Sequence, residues 1–322
     1  VGQWHAAIFD SEPSSPDEDY AVLLLIGPSG CTGTLVAPNL VATARHCVVA
    51  DPVPPQAQCD SDGNQLDGPL FTTDVAPGDV AVITGARINT EAKAHGAAIF
   101  TTGSNTICRN DLGFIVLDRE IDDLPVVPLR LGATAIRSEP LMMVGYGLGG
   151  QGNRRKRSGL DLIDIGRSEF HNRASTAPPN TLLLPRSACA GDSGAPVVSE
   201  ETGALVGIVS RTLGADCEDP TTLTIATQLA PYEALLNRAM EAAGAVPTLE
   251  GAESASGSSA SCSVGGSASK LSLWLPLALL AARRARGRQR GRAGDRPRMP
   301  HVSAPERKPV NTGNVHDVRS SP

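Results

Sequence analysis

An all-β fold, built as antiparallel barrels or a sandwich, is what the sequence predicts, and three observations carry that prediction. Short apolar runs recur from Asp19 to Leu229, with turn residues between them and no long helical pattern separating them. Gly (33 residues) and Pro (25 residues) are plentiful enough to supply the many turns such a fold needs. Aromatic residues are scarce at 3%, and this composition suits a turn-rich β chain better than a helical one.

The elements follow in order. Residues 1–18 are polar and turn-like. "DYAVLLLIG" and "CTGTLVAPNLVATARHC" then give apolar runs, the second folded around a Pro38-Asn39 turn. Further strands are expected at 80–85, 97–102, 112–118 and 141–147, then at 160–166, 181–185, 195–199, 204–210 and 223–229. One helix is expected over 231–243, with Pro231 at its first position and Gly244 as its stop. Leu235, Leu236, Ala239, Met240 and Ala243 fall at helical spacing along it. Residues 244–269 are rich in Ser, Gly and Ala and read as a flexible linker.

At 322 residues the chain can form one large domain or two ordinary ones. Its charge is uneven. Residues 1–269 carry 16 Lys+Arg against 31 Asp+Glu, net −15, while residues 270–322 carry 12 against 3, net +9. An acidic body argues against nucleic acid as the partner. Six of the seven cysteines lie in the first 217 residues and no CxxC occurs, so three disulfides and one lone Cys262 are expected, in an oxidising compartment. Residue 1 is Val with no charged or apolar leader after it, so a signal peptide for export has been removed or never existed, and the expected disulfides favour removal.

Two polar stretches read blandly. In "CDSDGNQLDG" (59–68), Asp60, Asp62, Asn64 and Asp67 hint at calcium, but Gln65 stands where an EF-hand loop needs glycine. An acidic surface loop is expected there, and no metal or cofactor. "RRKR" (154–157) reads as an exposed loop open to proteolytic nicking.

"CAGDSGAP" (189–196) sets Ser193 among residues with little side chain, beside Asp192. It is either a tight turn or a nucleophile whose neighbouring N–H groups are kept uncovered. A serine needs a base and a group that orients the base. Of six histidines, only His46 lies in an apolar, cysteine-tethered segment, "LVATARHC". "NDLGFIVLD" offers Asp111 just ahead of a strand, whereas Asp118 at its far end fits a plain turn residue. An α/β-hydrolase reading fails, because that fold needs its histidine after the serine and only His301 and His316 follow, both in the basic tail.

"TARHC", "NDLGFIVLD" and "GDSGAP", in that order, resemble the signature segments of the trypsin-like, chymotrypsin-fold serine peptidases. The similarity covers residues 8–243. It implies two six-stranded antiparallel β-barrels, about 8–125 and 126–230, with the C-terminal helix after them. Ser193 would be the nucleophile, His46 the general base and Asp111 its orienting acid, with the N–H groups of Gly191 and Ser193 as the oxyanion hole. Ile8, in "AAIFDSEP", would be the amine donor that pairs with Asp192 after cleavage. Ala7 rather than Arg or Lys precedes it, and Phe9-Asp10 replaces the usual Val-Gly, which argues against tryptic self-activation.

The resemblance also implies disulfides Cys31–Cys47 at the histidine loop and Cys189–Cys217 at the specificity pocket, with Cys59–Cys108 the remaining pair beside Asp111. Ser187 would lie at the base of the primary pocket, where it offers no carboxylate to Arg or Lys. Ser210, Thr212 and Thr224 would line its walls and favour small apolar side chains. The rival reading is a non-catalytic peptidase homologue that serves as a surface binding module.

The tail "SCSVGGSASKLSLWLPLALLAARRARGRQR" joins Cys262 to an apolar run, Leu271–Ala282, and an arginine cluster. Twelve apolar residues fall short of the roughly 20 that span a bilayer as a helix. The arrangement resembles sorting signals of the MYXO-CTERM type, though residues 293–322 extend beyond the usual length. The resemblance implies export of a monomeric peptidase acting on proteins or peptides. Segment 270–292 would meet the membrane with its basic end cytoplasmic, a processing protease would remove the tail, and the body would be retained at the surface through Cys262.

Overall fold

The computed structural model describes residues 8–50, 57–88, 91–147, 153–214 and 219–252. Six strands build the first half: β1 (Ala21–Ile26), β2 (Ser29–Ala37), β3 (Leu40–Thr43), β4 (Val80–Ile83), β5 (Ala94–Thr101) and β6 (Gly113–Leu117). They close into an antiparallel barrel in the order β1-β2-β3-β6-β5-β4. A barrel strand with only one covered face would alternate apolar and polar residues. Ala21, Val22, Leu23 and Leu24 of β1 are instead all buried, because both faces of that strand are covered. Leu24 faces the main core, while Leu23 packs outside it with Ile83 and Tyr146. That is why the sequence reads there as a continuous apolar run.

The second half contains β7 (Leu141–Gly145), β8 (Arg155–Leu160), β9 (Asp164–Ile165), β10 (Thr181–Leu184), β11 (Pro196–Ser199), β12 (Leu205–Leu213) and β13 (Leu223–Gln228). Their hydrogen-bonded order is β8-β7-β11-β12-β13-β10-β9, with the short segment Glu12–Pro13 added outside β8. Only residues 161–163 separate β8 from β9, and Ile163 N–H already donates to Leu183 O at 2.9 Å. One bent run therefore pairs with β7 through its first part and with β10 through its last. It brings the two ends of the sheet together around six runs of chain. The core within is aliphatic: Leu141, Met143, Leu160, Leu182, Val197 and Val206 pack with Ile8.

Two expectations need adjustment besides that of the linker, whose first residues are held to the body: Leu129 N–H donates to Thr248 O (2.8 Å), Glu250 N–H to Leu129 O (2.9 Å), and Arg130 pairs with Glu250. Pro231 belongs to a 3-10 turn, Ala230–Tyr232, and the helix α1 proper runs Glu233–Ala243, with Gly244 at its C-terminal cap. Leu235, Leu236 and Met240 are buried from α1 against the first barrel's core. Each such side chain contributes about 1.5–3 kcal/mol of burial.

The second adjustment is to "RRKR", which is not an exposed loop. Arg154 is only 1% exposed, and Arg155–Arg157 open β8. Each residue of the run grips the N-terminal segment. Arg154 pairs with Asp19 and donates to Ser15 O (2.9 Å), Ser14 Oγ (2.8 Å) and Ala21 O (3.1 Å). Arg155 Nε donates to Ser11 Oγ (2.8 Å), Lys156 pairs with Glu18 (2.9 Å) and Arg157 lies 3.9 Å from Asp10. Charge read as solvated is instead spent holding residues 10–19 against the second sheet. The acidic stretch at 60–64 behaves as expected of a surface loop: Asp60 accepts from the Asp62 and Asn64 N–H groups and from Asn64 Nδ2.

Candidate active site

His46 sits in a 3-10 turn, Arg45–Val48, directly after β3, and Cys47 is bonded to Cys31 of β2. The turn is thus fastened at both ends. Cys31, Cys47 and His46 come close enough to suggest a metal cluster, but both sulfurs are committed to the disulfide. Asp111 stands two residues before β6 and is fully buried. Its Oδ1 accepts from His46 N–H and its Oδ2 faces His46 Nδ1, both at 2.8 Å. Ser210 Oγ donates to Oδ2 at 2.6 Å, and Thr227 Oγ1 donates to the Asp111 carbonyl at 3.1 Å. Burial alone would raise the Asp111 pKa. The charge and hydrogen bond of His46, with the Ser210 hydroxyl, prevail and hold it below the usual carboxylate range.

Ser193 lies between Gly191 and Gly194, both at positive φ (93° and 85°). Its hydroxyl rests on Ser210 O at 3.4 Å. Ser193, Gly191 and His46 face one cavity of about 620 Å³, which extends over the Cys31–Cys47 bridge to Ile26, Pro28, Val49 and Asp79. A carboxylate–imidazole pair, a serine and a concave space large enough for several residues of a peptide therefore meet at one place.

Asp192 is fully buried behind Ser193. Its Oδ2 accepts from Ile8 N–H (3.0 Å) and Cys189 N–H (2.9 Å), and the Gly147 N–H also favours the charged form of the buried carboxylate. With residues 1–7 attached, Ile8 contributes an amide rather than an ammonium. Burial therefore pushes the Asp192 pKa up to about 7, against the pull of its N–H donors. Ile8 is itself fully buried and held at φ 37°, a costly conformation for a β-branched residue.

The expected pocket residues are together but differently employed. Ser187 is buried, and its hydroxyl donates to Pro185 O (2.9 Å) and accepts from Arg157 (3.4 Å). Thr224 Oγ1 accepts from the N–H groups of Ser187 (3.1 Å) and Ala188 (3.0 Å), so it braces the segment. Ser210 serves Asp111. Thr212 is half-buried and pairs with Thr224 across β12 and β13. Cys59–Cys108 is formed, and Cys189 is disulfide-bonded. Cys217, its expected partner, and Cys262 lie outside the described residues.

Sequence reasoning missed Arg211 and Thr32. Arg211, after Ser210, is buried, with one nitrogen 2.8 Å from Cys59 Sγ and another reaching Ile107 O at 3.5 Å. Burial lowers its pKa to about 10, and the Asp111 charge opposes that fall. Nothing in the strand pattern distinguished it from an exposed charge. Thr32 is buried behind the Ser193 turn. It lies beside Cys31, whose bond to the His46 turn was the available hint.

Residues 8–236 match the family model described as Trypsin. The chain belongs to the trypsin family, and it is a trypsin-like serine peptidase acting on proteins or peptides. No curated protein matches it.

Proposed function

We propose that this peptidase cleaves internal peptide bonds through Ser193, His46 and Asp111. The observation that carries the reading is the buried Asp111 carboxylate 2.8 Å from His46 Nδ1, in a cavity that His46 shares with Ser193. Ser193 Oγ attacks the scissile carbonyl carbon, and its proton passes to His46 Nε2. The resulting imidazolium is stabilised by Asp111, which keeps its charge. The N–H groups of Gly191 and Ser193 hold the tetrahedral oxyanion, a donor pair of the kind in which each member is worth about 2.7–4 kcal/mol. His46 then protonates the leaving nitrogen, the C–N bond breaks and an acyl-Ser193 ester remains. Water adds to the ester, giving its proton to His46, and Ser193 leaves with that proton restored.

Ser187 brings no carboxylate to the primary pocket, so the preference falls on residues other than Arg and Lys. The tail reading is part of the same proposal: export, a monomeric peptidase body outside, and surface retention through Cys262 after processing. No helix among the described residues is long and apolar enough to cross a membrane, and the 271–282 run lies outside them.

The test is a fluorophosphonate probe on the full chain beside Ser193→Ala and His46→Ala, which needs an activated serine but no known substrate. Labelling of the parent alone is expected. An unlabelled but folded parent is repeated with Ile8 as the first residue. Silence there as well replaces the enzyme with a binding homologue. For the tail, fractionation of cells making Cys262→Ala against the parent is expected to move the peptidase from the surface to the medium.

A further inference from the structure

We propose that Thr32 is a positioning residue for the oxyanion hole, an inference that rests on the triad reading above. Thr32 belongs to β2 of the first barrel, whereas the residues it holds belong to the nucleophile turn of the second half. Its N–H donates to Ser193 O at 2.8 Å, and its hydroxyl donates to Gly191 O at 3.0 Å. One buried side chain with its own backbone thus anchors the carbonyls of both residues whose N–H groups receive the oxyanion.

The hydroxyl is fully committed. While donating to Gly191 O it accepts from Tyr146 N–H at 3.2 Å, at the end of β7. A hydroxyl has one proton to give, and the Tyr146 N–H leaves Gly191 O as the acceptor for it. Thr32 is held in turn, because Thr43 Oγ1 donates to its carbonyl at 2.9 Å. The two segments are pressed together: a Cβ on Gly194 would lie 2.0 Å from Thr32 O and 2.2 Å from Thr43 Oγ1.

Gly191 is the place where such an anchor matters. At φ 93° with no Cβ, it can rotate its flanking peptides at little steric cost. A rotated peptide aims its N–H away from the oxyanion. Holding the Gly191–Asp192 peptide at its C=O through Thr32 and at its N–H through Cys189 O (3.1 Å) leaves the adjoining Ala190–Gly191 peptide, which carries the donor N–H, fewer ways to turn before substrate arrives. Donors already aimed at the developing charge need no reorganisation during reaction. Thr32 touches neither substrate nor the reacting atoms, so its effect passes through Gly191 and Ser193.

The experiment compares the full chain with Thr32→Val, Thr32→Ser and Thr32→Gly, using a peptide substrate found by library profiling and rates normalised to titrated active sites. For T32V we expect kcat per active site to fall about 10-fold or more with KM within twofold. Affinity for a peptide boronate, which forms a tetrahedral adduct, should fall in parallel. T32S, which keeps the hydroxyl, should recover kcat to within about threefold of the parent, and T32G should lie between. Should T32V not accumulate as folded protein, the T32G and T32S pair carries the same comparison. Parent-like kcat and boronate affinity per active site in T32V or T32G, whatever the loss of melting temperature, would overturn the proposal and leave Thr32 a packing residue. A parent that neither takes the fluorophosphonate nor cleaves peptides fails at the earlier step, and the oxyanion role falls with the triad.

Discussion

Asp192 couples the stability of the chain to pH in a direction opposite to that of an ordinary salt-bridged carboxylate. In the folded chain, with Ile8 as an amide, its pKa is raised to about 7, against 3.8 for an unperturbed aspartate. Between those values the folded protein keeps a proton that the unfolded chain has released. Stability contributed by Asp192 is therefore fully present below about pH 4, falls as pH rises, and is gone once pH passes about 7. Roughly three pKa units at 1.36 kcal/mol each make the loss about 4 kcal/mol. Asp111, whose folded pKa is depressed, contributes stability above about pH 4 and loses it in more acid solution, so the two windows do not overlap.

The assay is urea unfolding of the uncleaved chain at intervals from pH 4.5 to 7.5, beside Asp192→Asn, an isostere without the titration. The parent should lose about 3 kcal/mol more across this range than D192N, at an unchanged m-value. Parallel curves for the two proteins would refute the reasoning. Cleavage after Ala7 reverses the sign. It would place an ammonium at the Ile8 nitrogen, 3.0 Å from Oδ2. The carboxylate pKa then drops, and the neutral-pH penalty becomes an ion pair kept until the amine deprotonates, above its unperturbed range of about 7.7–8.0. The cleaved chain should therefore unfold at higher urea than the uncleaved one at pH 7.5.

Asp111→Asn keeps the shape of the carboxylate but lets His46 adopt the wrong tautomer, and steady-state peptide hydrolysis should fall by about 10⁴ in kcat. Arg154→Met leaves Asp19 without its buried partner, while Ser15 O keeps the Glu18 N–H and Ala21 O the Tyr146 hydroxyl, and chemical denaturation should show a loss of about 3 kcal/mol. Lys156→Ala, two residues on, leaves the buried Glu18 with Ser15 as its remaining partner and should cost about 1–3 kcal/mol in the same measurement.

Most strands of both halves were legible because apolar runs broken by turn residues follow from the backbone alone. The helix was legible from its 3.6-residue spacing, although its entry was not, since Pro231 fits a 3-10 turn as well as a first helical position. The candidate grouping of His46, Asp111 and Ser193 was reached through the resemblance of three segments, in order, to trypsin-like signatures, since each stretch alone reads equally as a turn or an ordinary polar residue. Arg154 was not readable, since its burial depends on Asp19 and Ser15, some 135 residues away in the chain. Thr224 and Ser210 were assigned to the pocket by type, but their hydroxyls go to the Ser187–Ala188 backbone and to Asp111. Sequence marks a polar residue as useful, and only packing decides which of its neighbours receives the hydrogen bond.

The same dependence on packing governs how the primary pocket proposed around Ser187 would respond to redesign. Placing a carboxylate at its base, as Ser187→Asp, looks like a direct route to cleavage after Arg or Lys. Ser187 is fully buried, however, and Arg157 already reaches its hydroxyl at 3.4 Å. A new aspartate there would lie beside a guanidinium from β8 before any substrate arrived. Its charge would be answered within the protein, and a substrate cation would have to compete with a partner already in place. S187D alone is therefore expected to leave hydrolysis after Arg and Lys within about threefold of the parent in a P1-resolved peptide library. Removing the competitor in S187D/R157M leaves the carboxylate uncompensated and should raise Arg and Lys cleavage by tenfold or more relative to S187D. Basic P1 residues favoured by S187D as strongly as by the double variant would mean that Arg157 does not hold the pocket floor.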